Sequence, residues 1–340
     1  MSRNSGTVLL SGAMKQGLAC ITLLALVVCG AAGCKKRTTD AIAVIPKGTT
    51  HEYWKSVHAG AEKAGQELGV NIIWKGPLRE DDREDQIKVV ETFINMRVKG
   101  IVLAPLDDTA LVPVVTDAIA AGIPVVAFDS QIKTDDIVSF VATDNHRGGQ
   151  LAGDYLAKLL GGKGKVMMLR YAEGSASTAD REKGFLDAIA AHREIEVVSS
   201  NQYGGVTTES AFKVSENLLT AHKGPEGLPV QGIFCPNEST AFGMLRALED
   251  GGLAGKVAFV GFDSSSKLVD AMAKGHMDAT VVQDPIKMGA LAVKAMVERL
   301  QGKSVDKRID TGATLITRDT MGSPAAQALL NPDFKRWLKE

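Results

Sequence analysis

The 340-residue chain has few cysteines, few aromatic residues and almost no excess of charge of either sign. Beyond the N-terminal 34 residues Cys235 is the only cysteine, which excludes an intramolecular disulfide in that part of the chain. The 39 basic and 40 acidic residues give no bulk attraction to nucleic acids or to anionic membranes. Aromatic residues make up only 5% of the chain, yet Tyr53 and Trp54 are adjacent. A pair of rings in a chain with so few of them indicates a specific role for residues 53 and 54.

The first 34 residues differ in character from the rest of the chain. Arg3 and Lys15 precede the short apolar stretch LACITLLALVVCGAA, which ends before Gly33 and Cys34. A basic segment, an apolar segment of this length and small residues before a cleavage point are typical of a secretory signal. The stretch is too short for a comfortable membrane span. We therefore predict that residues 1–33 are a signal peptide; an uncleaved anchor helix is the alternative.

The sequence AAGC at residues 31–34 resembles the lipobox of bacterial lipoproteins, although Ala31 departs from the usual leucine or valine. This resemblance implies that Cys34 is lipidated and becomes the mature N-terminus, followed by a linker at residues 34–40. Such a lipid would tether a folded body to a membrane without spanning it. Cys235 closes an apolar run and is predicted to be a small core residue rather than a nucleophile.

From residue 40 onward, short apolar runs alternate with longer amphipathic stretches. The predicted strands are AIAVI (41–45), VNIIW (70–74), GIVLA (100–104), IPVVAF (123–128), VSFVA (138–142), KVMML (165–169), IEVVSS (195–200), GIFC (232–235), VAFVGF (257–262) and ATVV (279–282). Apolar runs without strict alternation are typical of strands that are covered on both faces of a parallel sheet. The regular alternation of strands with helices then predicts right-handed βαβ units.

Two sheets fit this series better than one, because ten strands would make a very large open sheet. The series also restarts after ATDN (142–145). We predict the α/β class, with two discontinuous Rossmann-like lobes, each a parallel sheet flanked by helices, joined by a three-strand hinge. The predicted lobes are residues 40–143 with 284–312 and residues 144–283 with 313–317. The remaining residues 318–340 are polar and contain Pro324 and Pro332, which predicts a surface tail.

Polar and aromatic side chains follow most of the predicted strands. In open α/β sheets, ligands bind in the crevice beyond the carboxyl ends of the strands. The residues found there are Tyr53, Trp54, Asp107, Asp108, Asp129, Thr143, Asp144, Asn145, Arg181, Asn237, Glu238, Asp263 and Gln283. Carboxylates, amides and guanidinium groups can pair with sugar hydroxyls, and flat rings can pack on the CH faces of a sugar. The set therefore predicts a sugar site.

Each of these side chains also has a structural alternative. Polar residues after a strand are good N-caps, worth about 1 kcal/mol each. Capping or solvation is favoured for Asp107, Asp108, Asp144 and Glu238. Ligand contact is favoured for Asp129, Asn237, Asp263 and Gln283. Arg181 could be a surface charge, and the pair Tyr53 and Trp54 could fill the core or form a hydrophobic staple.

From about residue 42 to 317 the chain resembles the bacterial periplasmic sugar-binding proteins of ABC importers, the ribose-binding type. The matching stretches, in order, are IVLAPLD, GIPVVAFDS, ATDN with GG three residues on, DREKGF, ENLLTAH, PNESTAFGMLRAL, VGFD and VVQDP. The resemblance implies the periplasmic binding protein-like class I fold. It also implies which residues contact the ligand. Hydrogen bonds would come from Asp129, Arg181, Asn237, Asp263 and Gln283, and stacking rings from Tyr53 and Trp54.

Several positions depart from the ribose-binding pattern. Ala104 stands where ribose binders have Asn, and Ser130 stands where they have Arg. His51 replaces an Asn, Thr143 replaces a Ser, and a stacking residue expected near Tyr203 has no secure counterpart. An unpaired buried polar group costs about 1–3 kcal/mol, so these changes alter which hydroxyls the site can satisfy. His51, Ser130 and Thr143 are therefore further candidate contacts, and a hexose, another pentose or a cyclitol joins ribose as a candidate ligand.

The resemblance implies a substrate-binding lipoprotein that captures a monosaccharide or related polyol between its lobes by hinge closure. It would be an exported, periplasmic monomer that contacts the membrane only through its lipid and delivers sugar to an ABC permease and its ATPase. No cofactor, metal ion, nucleic acid or catalytic residue is expected. Two alternatives are a sugar sensor for a membrane receptor and a carbohydrate-active enzyme that uses Asp129 and Asp263 as paired carboxylates.

Overall fold

The computed structural model describes residues 39–334 and 336–338. The predicted signal peptide, Cys34 and most of the predicted linker lie outside these residues. Within the described ranges, no helix combines the length and the apolar character that crossing a membrane requires.

Strands and helices alternate along the chain in two series. The first comprises β1 (Thr39–Ile45), α1 (Glu52–Leu68), β2 (Ile72–Trp74), α2 (Arg83–Met96), β3 (Val98–Leu103), α3 (Val112–Ala120), β4 (Val125–Phe128) and β5 (Phe140–Ala142). The second comprises α4 (Asn145–Leu159), β6 (Lys163–Arg170), α5 (Ala176–Ala190), β7 (Glu194–Tyr203), α6 (Thr208–Ala221), β8 (Gly232–Phe234), α7 (Glu238–Asp250), β9 (Ala258–Phe262), α8 (Ser266–Lys274) and β10 (Ala279–Gln283). The last elements are α9 (Pro285–Leu300), β11 (Arg308–Asp310), β12 (Ala313–Thr317) and α10 (Pro324–Leu330).

The strands form two six-stranded sheets of the same design. The first has the order β11-β5-β4-β3-β1-β2, and the second has the order β12-β10-β9-β8-β6-β7. Neighbouring strands are parallel, except that β12 runs antiparallel to β10. We call each sheet with its covering helices a lobe. The predicted α/β class with two discontinuous parallel-sheet lobes is confirmed by this arrangement.

The chain passes between the two sheets at three places. It crosses after β5, again between β10 and α9, and finally between β11 and β12. The side chain of Thr143 ties two of these crossings together. Its Oγ1 donates to the carbonyl oxygen of Gly312 at 3.2 Å and lies 3.3 Å from Oγ1 of Thr311. This predicted candidate contact is thus part of the connection between the lobes.

Both faces of each sheet are buried, because successive side chains of a strand point to opposite faces. In the first lobe Val44 and Val102 pack with α1 and α9, whereas Ile45 and Leu103 pack with α2 and α3. In the second lobe Cys235 packs among side chains of α6, α7 and α8. Its prediction as a core residue is confirmed, and burial raises the pKa of its thiol.

The C-terminal segment differs from the predicted surface tail. Helix α10 buries Ala326 and Leu330 in the core of the second lobe. The hydroxyl of Ser264 donates to the carbonyl oxygen of Leu330 at 2.9 Å. Pro324, taken as a sign of exposed chain, occupies the first helical position, where a missing N–H costs nothing. The apolar residues of the segment therefore belong to the fold.

Close helix packing in both lobes depends on glycine. A Cβ on Gly149 of α4 would lie 2.0 Å from the carbonyl oxygen of Arg181, and one on Gly184 of α5 would lie equally close to the backbone of α4. Gly60 and Gly289 bring α1 and α9 together in the same way. Since Arg181 is a predicted ligand contact, the α4–α5 packing also sets the position of a site residue.

Gly149→Ala should lower the free energy of unfolding by about 1–3 kcal/mol, because the added methyl group must push α5 away from α4. Urea unfolding measures this change. Gly322→Ala is the control, since a Cβ there would meet no atom within 4 Å. Equal stability of the two variants would contradict the assigned packing.

Candidate ligand-binding site

All seven residues predicted to contact a ligand lie around one cavity between the lobes. Its volume is about 30 Å³. The lining residues are Lys47, His51, Tyr53, Trp54, Glu80, Asp129, Tyr171, Ser177, Thr178, Arg181, Asn237, Glu238, Asp263 and Gln283. Those up to Asp129 belong to the first lobe, those from Tyr171 to Asp263 belong to the second, and Gln283 ends β10 at a crossing. The cavity is therefore complete only when both lobes contribute.

Asp129 and Asp263 occupy equivalent places, directly after β4 and β9. Both have a left-handed backbone, with φ of 61° and 69°. Aspartate tolerates this conformation better than most residues, but it still carries strain, which tends to concentrate at functional sites. Each backbone N–H donates to the next strand, Asp129 to Val141 at 3.0 Å and Asp263 to Val281 at 2.8 Å. The two lobes therefore present a carboxylate with the same backbone geometry.

The carboxylate of Asp129 is held by donors from its own lobe. Tyr53 donates its hydroxyl to Oδ1 at 2.8 Å, and the ammonium of Lys47 lies 3.2 Å from Oδ2. Lys47 also donates to the hydroxyls of Ser175 and Ser177 in the second lobe, at 3.2 and 3.0 Å. A single buried ammonium thus compensates Asp129 and joins the two lobes.

Lys47 supplies the positive charge that the departure at Ser130 removes. Where the ribose-binding pattern has Arg beside the aspartate, the small side chain of Ser130 is buried and accepts the N–H of Ser177 at 3.2 Å. Ser130 does not line the cavity. A cation therefore still faces Asp129, but it comes from the loop after β1.

The carboxylate of Asp263 is held by the second lobe and the hinge. Gln283 donates its amide to Oδ1 at 2.7 Å, the N–H of Glu238 donates to Oδ2 at 3.2 Å, and Arg181 Nη1 lies 3.7 Å from Oδ2. Burial raises the pKa of Asp263, although Arg181 and Gln283 act in the opposite direction. Asp263 is therefore more costly to ionise than an exposed aspartate.

Arg181 is fixed in place by three further contacts. Its Nε donates to Asn145 Oδ1 at 2.8 Å, and Nη1 donates to the carbonyl oxygen of Pro236 at 3.0 Å. The guanidinium lies 3.9 Å from the ring centre of Phe262. Arg181 is only 2% exposed, which excludes the alternative that it is a surface charge.

Gln283 carries an acceptor that the protein does not use. Because its amide nitrogen must face the acceptor Asp263, the orientation of the side chain is fixed. Its Oε1 is the one buried side-chain oxygen or nitrogen without a hydrogen-bond partner among the described residues. Buried polar atoms are normally satisfied, so this oxygen is suited to accept a hydroxyl from a ligand.

A second ion pair, largely but not fully buried, lies on the first-lobe side of the cavity. His51 Nδ1 lies 2.8 Å from Glu80 Oε1. Burial alone would lower the pKa of His51, but the charge and hydrogen bond of Glu80 raise it to about 9. Burial likewise opposes ionisation of Glu80, but His51 and Lys47 lower its pKa to about 2. Both groups are therefore charged at neutral pH.

Tyr53 and Trp54 line the cavity and also belong to the apolar core. Their rings pack edge to face with centroids 4.9 Å apart, and Trp54 packs in the same way on Phe128 at 6.2 Å. Trp54 Nε1 donates to Glu80 at 2.6 Å. The ligand-contact prediction and the core-filling alternative are thus compatible for both rings.

The favoured capping interpretation agrees with the structure for Asp144, which caps α4 by accepting the N–H of Arg147 at 2.9 Å. Asp107 does not cap α3, whose N-cap is Leu111; its carboxylate accepts the N–H groups of Thr109 and Ala110 in the preceding turn. Asp108 forms a partly exposed ion pair with Lys133.

Asn237 was predicted to contact the ligand and Glu238 to cap a helix or face solvent, but the structure does not separate these two roles. Asn237 lines the cavity but is also the N-cap of α7, where its Oδ1 accepts from Thr240 Oγ1 at 2.6 Å. Glu238, for which capping or solvation was favoured, lines the cavity and accepts the N–H of Tyr53 at 3.3 Å. The capping interpretation of Glu238 is therefore wrong.

Sequence reasoning also missed five lining residues. They are Lys47, Glu80, Tyr171, Ser177 and Thr178. The rule of strand ends could have found two of them, since Lys47 and Tyr171 lie within two residues of the ends of β1 and β6. Tyr171 brings a ring of the second lobe to the cavity, whereas Tyr203 packs under Arg170 at 4.5 Å.

Comparison with known proteins identifies the family. A family model described as a periplasmic binding protein domain matches residues 42–304. The chain belongs to the periplasmic binding protein family. A ribose import binding protein of Salmonella typhimurium is 33% identical over 282 residues, covering 82% of this chain and 91% of that protein. The resemblance seen in the sequence is thereby confirmed.

Two solved structures are similar to this chain. An ABC transporter solute-binding protein of Agrobacterium vitis with bound D-fucose is 35% identical, with a TM-score of 0.81, and covers 85% of this chain and 99% of its own. A carbohydrate transporter solute-binding protein of Agrobacterium radiobacter in complex with D-arabinose is 32% identical, with a TM-score of 0.81, covering 86% and 98%. This family is one of sugar-binding transport proteins rather than of enzymes.

Glu238→Gln should make the protein more stable relative to wild type as the pH rises. Burial raises the pKa of Glu238 to about 7, although the positive charge of His51 lowers it. The folded state keeps this proton up to about pH 7, whereas the unfolded chain releases it near pH 4.5, so the wild type loses stability between these values. The difference in unfolding free energy should grow by about 1–3 kcal/mol between pH 4.5 and 8.

Urea unfolding of both proteins at pH 4.5, 6 and 8 measures this difference. Glu216→Gln on α6 is the control, because Glu216 is exposed, and its difference from wild type should stay constant. A constant difference for Glu238→Gln as well would contradict the assigned burial of its carboxyl group.

Proposed function

We propose that this protein is the substrate-binding component of an ABC sugar importer and captures a monosaccharide or related polyol in the cavity between its lobes. The observation that carries the proposal is the convergence of carboxylate, amide, guanidinium and aromatic side chains from both lobes on one cavity. These groups match the hydroxyls and CH faces of a sugar. The relatives named for ribose import, and those solved with D-fucose and D-arabinose, support the same ligand class.

The charges of the cavity favour a neutral ligand. Its basic groups form the pairs Lys47–Asp129, His51–Glu80 and Arg181–Asp263. A buried charge without a partner is costly, so an ionic ligand would disturb these three pairs. A neutral polyol can instead exchange hydrogen bonds with the remaining donors and acceptors, among them the unpartnered oxygen of Gln283.

Ligand capture requires the lobes to separate and close. A volume of about 30 Å³ is far below the roughly 300–1,000 Å³ of small-molecule pockets, so a sugar cannot enter without movement. The three crossings form the hinge about which residues 40–143 with 284–312 move against 144–283 with 313–317. Opening would break direct contacts between the lobes, such as those of Glu52 with the N–H and hydroxyl of Ser266 at 3.2 and 3.1 Å.

The protein binds its sugar without cleaving it. A glycosidase needs one carboxyl group as a proton donor and another as base or nucleophile. Asp129 accepts from Tyr53 and pairs with Lys47, while Asp263 accepts from Gln283 and the backbone of Glu238. Each carboxylate is therefore committed to holding the site together, and incubation with aryl glycosides should release no product.

At least one neutral sugar should raise the melting temperature and bind with micromolar affinity, which corresponds to about −8 kcal/mol. We suggest a panel of D-ribose, D-arabinose, D-fucose, D-glucose and myo-inositol, screened by thermal shift and measured by calorimetry. Gln283→Met should weaken binding by at least about three- to tenfold, because the acceptor for a ligand hydroxyl is lost and Asp263 loses the amide donor that holds its carboxylate. The exposed Gln66→Met on α1 is the control and should bind normally. A panel without any binding would contradict the proposed function.

The protein is proposed to act as a periplasmic monomer that is anchored through lipid on Cys34 and docks on its permease. Full-length wild type, expressed in a bacterium that processes lipoproteins, should incorporate labelled palmitate, whereas Cys34→Ser should remain unlabelled. Wild type that sediments with membranes without carrying the label would favour an uncleaved anchor helix instead.

A further inference from the structure

The carboxylate of Glu80 accepts hydrogen bonds from three side chains, one of which comes from the opposite lobe. Glu80 lies between β2 and α2, and its side chain is 7% exposed. His51 and Trp54 of the first lobe contact Oε1 at 2.8 and 2.6 Å. Tyr171 of the second lobe donates its hydroxyl to Oε2 at 2.6 Å. The side chain of Glu80 thus connects His51 and Trp54 of the first lobe to Tyr171 of the second.

The pair of His51 and Glu80 does not require closure, because both residues belong to the first lobe. Glu80 provides the main favourable field for the His51 cation, and Glu238 and Asp263 add to it from the second lobe. Lys47 and Tyr171 stabilise the Glu80 anion in turn. Separation of the lobes would remove the second-lobe contributions but leave the direct contact at 2.8 Å intact.

This pairing fixes what His51 can offer to a ligand. Nδ1 faces Glu80, and in the imidazolium form the remaining Nε2 carries a proton and can only donate. The ribose-binding pattern has Asn at this position, and an amide can both donate and accept. A ligand of this protein must therefore place an oxygen acceptor, such as a hydroxyl or a ring oxygen, opposite His51.

We propose that Glu80 is a positioning residue with two tasks. The first is to keep His51 as a fixed hydrogen-bond donor to the ligand. The second is to hold the lobes closed through its hydrogen bond with Tyr171, which we call the latch. The second task fits the geometry of the cavity, where Glu80 and Tyr171 face each other across the cleft. The ligand part of this inference rests on the proposed function, whereas the state of His51 does not.

Glu80→Gln tests the first task, because it keeps the size of the side chain and removes its charge. In the wild type, NMR titration of the His51 ring should give a pKa of about 9. In the variant, only the charges of Glu238 and Asp263 oppose the effect of burial, and the midpoint should fall well below that of the wild type. Between pH 5 and 8, affinity for the panel sugar that binds the wild type should then drop about fivefold more in the variant than in the wild type, because Glu238 titrates in both proteins whereas His51 titrates only in the variant.

Tyr171→Phe tests the second task, because it removes only the hydroxyl that crosses the cleft. Sugar should dissociate about three- to tenfold faster, while the titration of His51 stays near that of the wild type. Tyr203→Phe is the matched control, since Tyr203 lies on the same lobe but outside the cavity, and its dissociation rate should be normal. Thermal unfolding of each variant checks that the fold is intact.

The outcomes separate this inference from the proposed function. If the wild type binds sugar but Glu80→Gln leaves the His51 titration unchanged, the first task is overturned and the function stands. An unchanged dissociation rate in Tyr171→Phe overturns the latch. If no sugar binds, the proposed function fails, and the His51 titration still decides the first task. X-ray scattering then decides the second: a larger radius for Tyr171→Phe than for wild type supports the latch, and equal radii overturn it.

Discussion

The site depends on two aspartates that hold a left-handed backbone at the ends of matching strands. Asp129 and Asp263 donate their N–H groups to the neighbouring strand in the same way, so each sheet delivers a carboxylate to the cleft at a fixed angle. Parallel strands that end at one edge make this possible, since the helices that follow start beyond that edge. Strain of this kind persists only where the surrounding structure determines the conformation, and here the sheet does so.

The ion pairs of the cleft serve to position hydrogen-bonding side chains rather than to stabilise the fold. Buried ion pairs contribute little to stability, because desolvation offsets most of their attraction. The three pairs instead hold hydrogen-bonding atoms in position: Lys47 beside Asp129, Glu80 beside His51 and Arg181 beside Asp263. Because each pair is internally neutral, the cavity can be rich in donors and acceptors without selecting for an ionic ligand.

Much of the fold could be predicted from the sequence, because apolar runs mark strands that are buried on both faces. Asp129 and Asp263 could be predicted for a similar reason, since they directly follow such runs. Glu80 could not, because it lies in an irregular loop, and local pattern does not show how far a loop reaches toward the other lobe. The burial of Leu330 was missed because two prolines in the tail suggested exposed chain, whereas one of them begins α10.

Ligand specificity can change more easily at His51 than at the adjacent rings of Tyr53 and Trp54. Both rings pack in the core and also line the cavity, so altering either one would disturb the first lobe as well as the ligand contact. His51 lies just before α1 and is partly exposed, so it carries less of the packing. The departures from the ribose-binding pattern leave the ring pair in place; among them His51 lines the cavity, whereas Ser130 and Thr143 do not. The core thus fixes the stacking surface, while the polar positions decide which hydroxyls are satisfied.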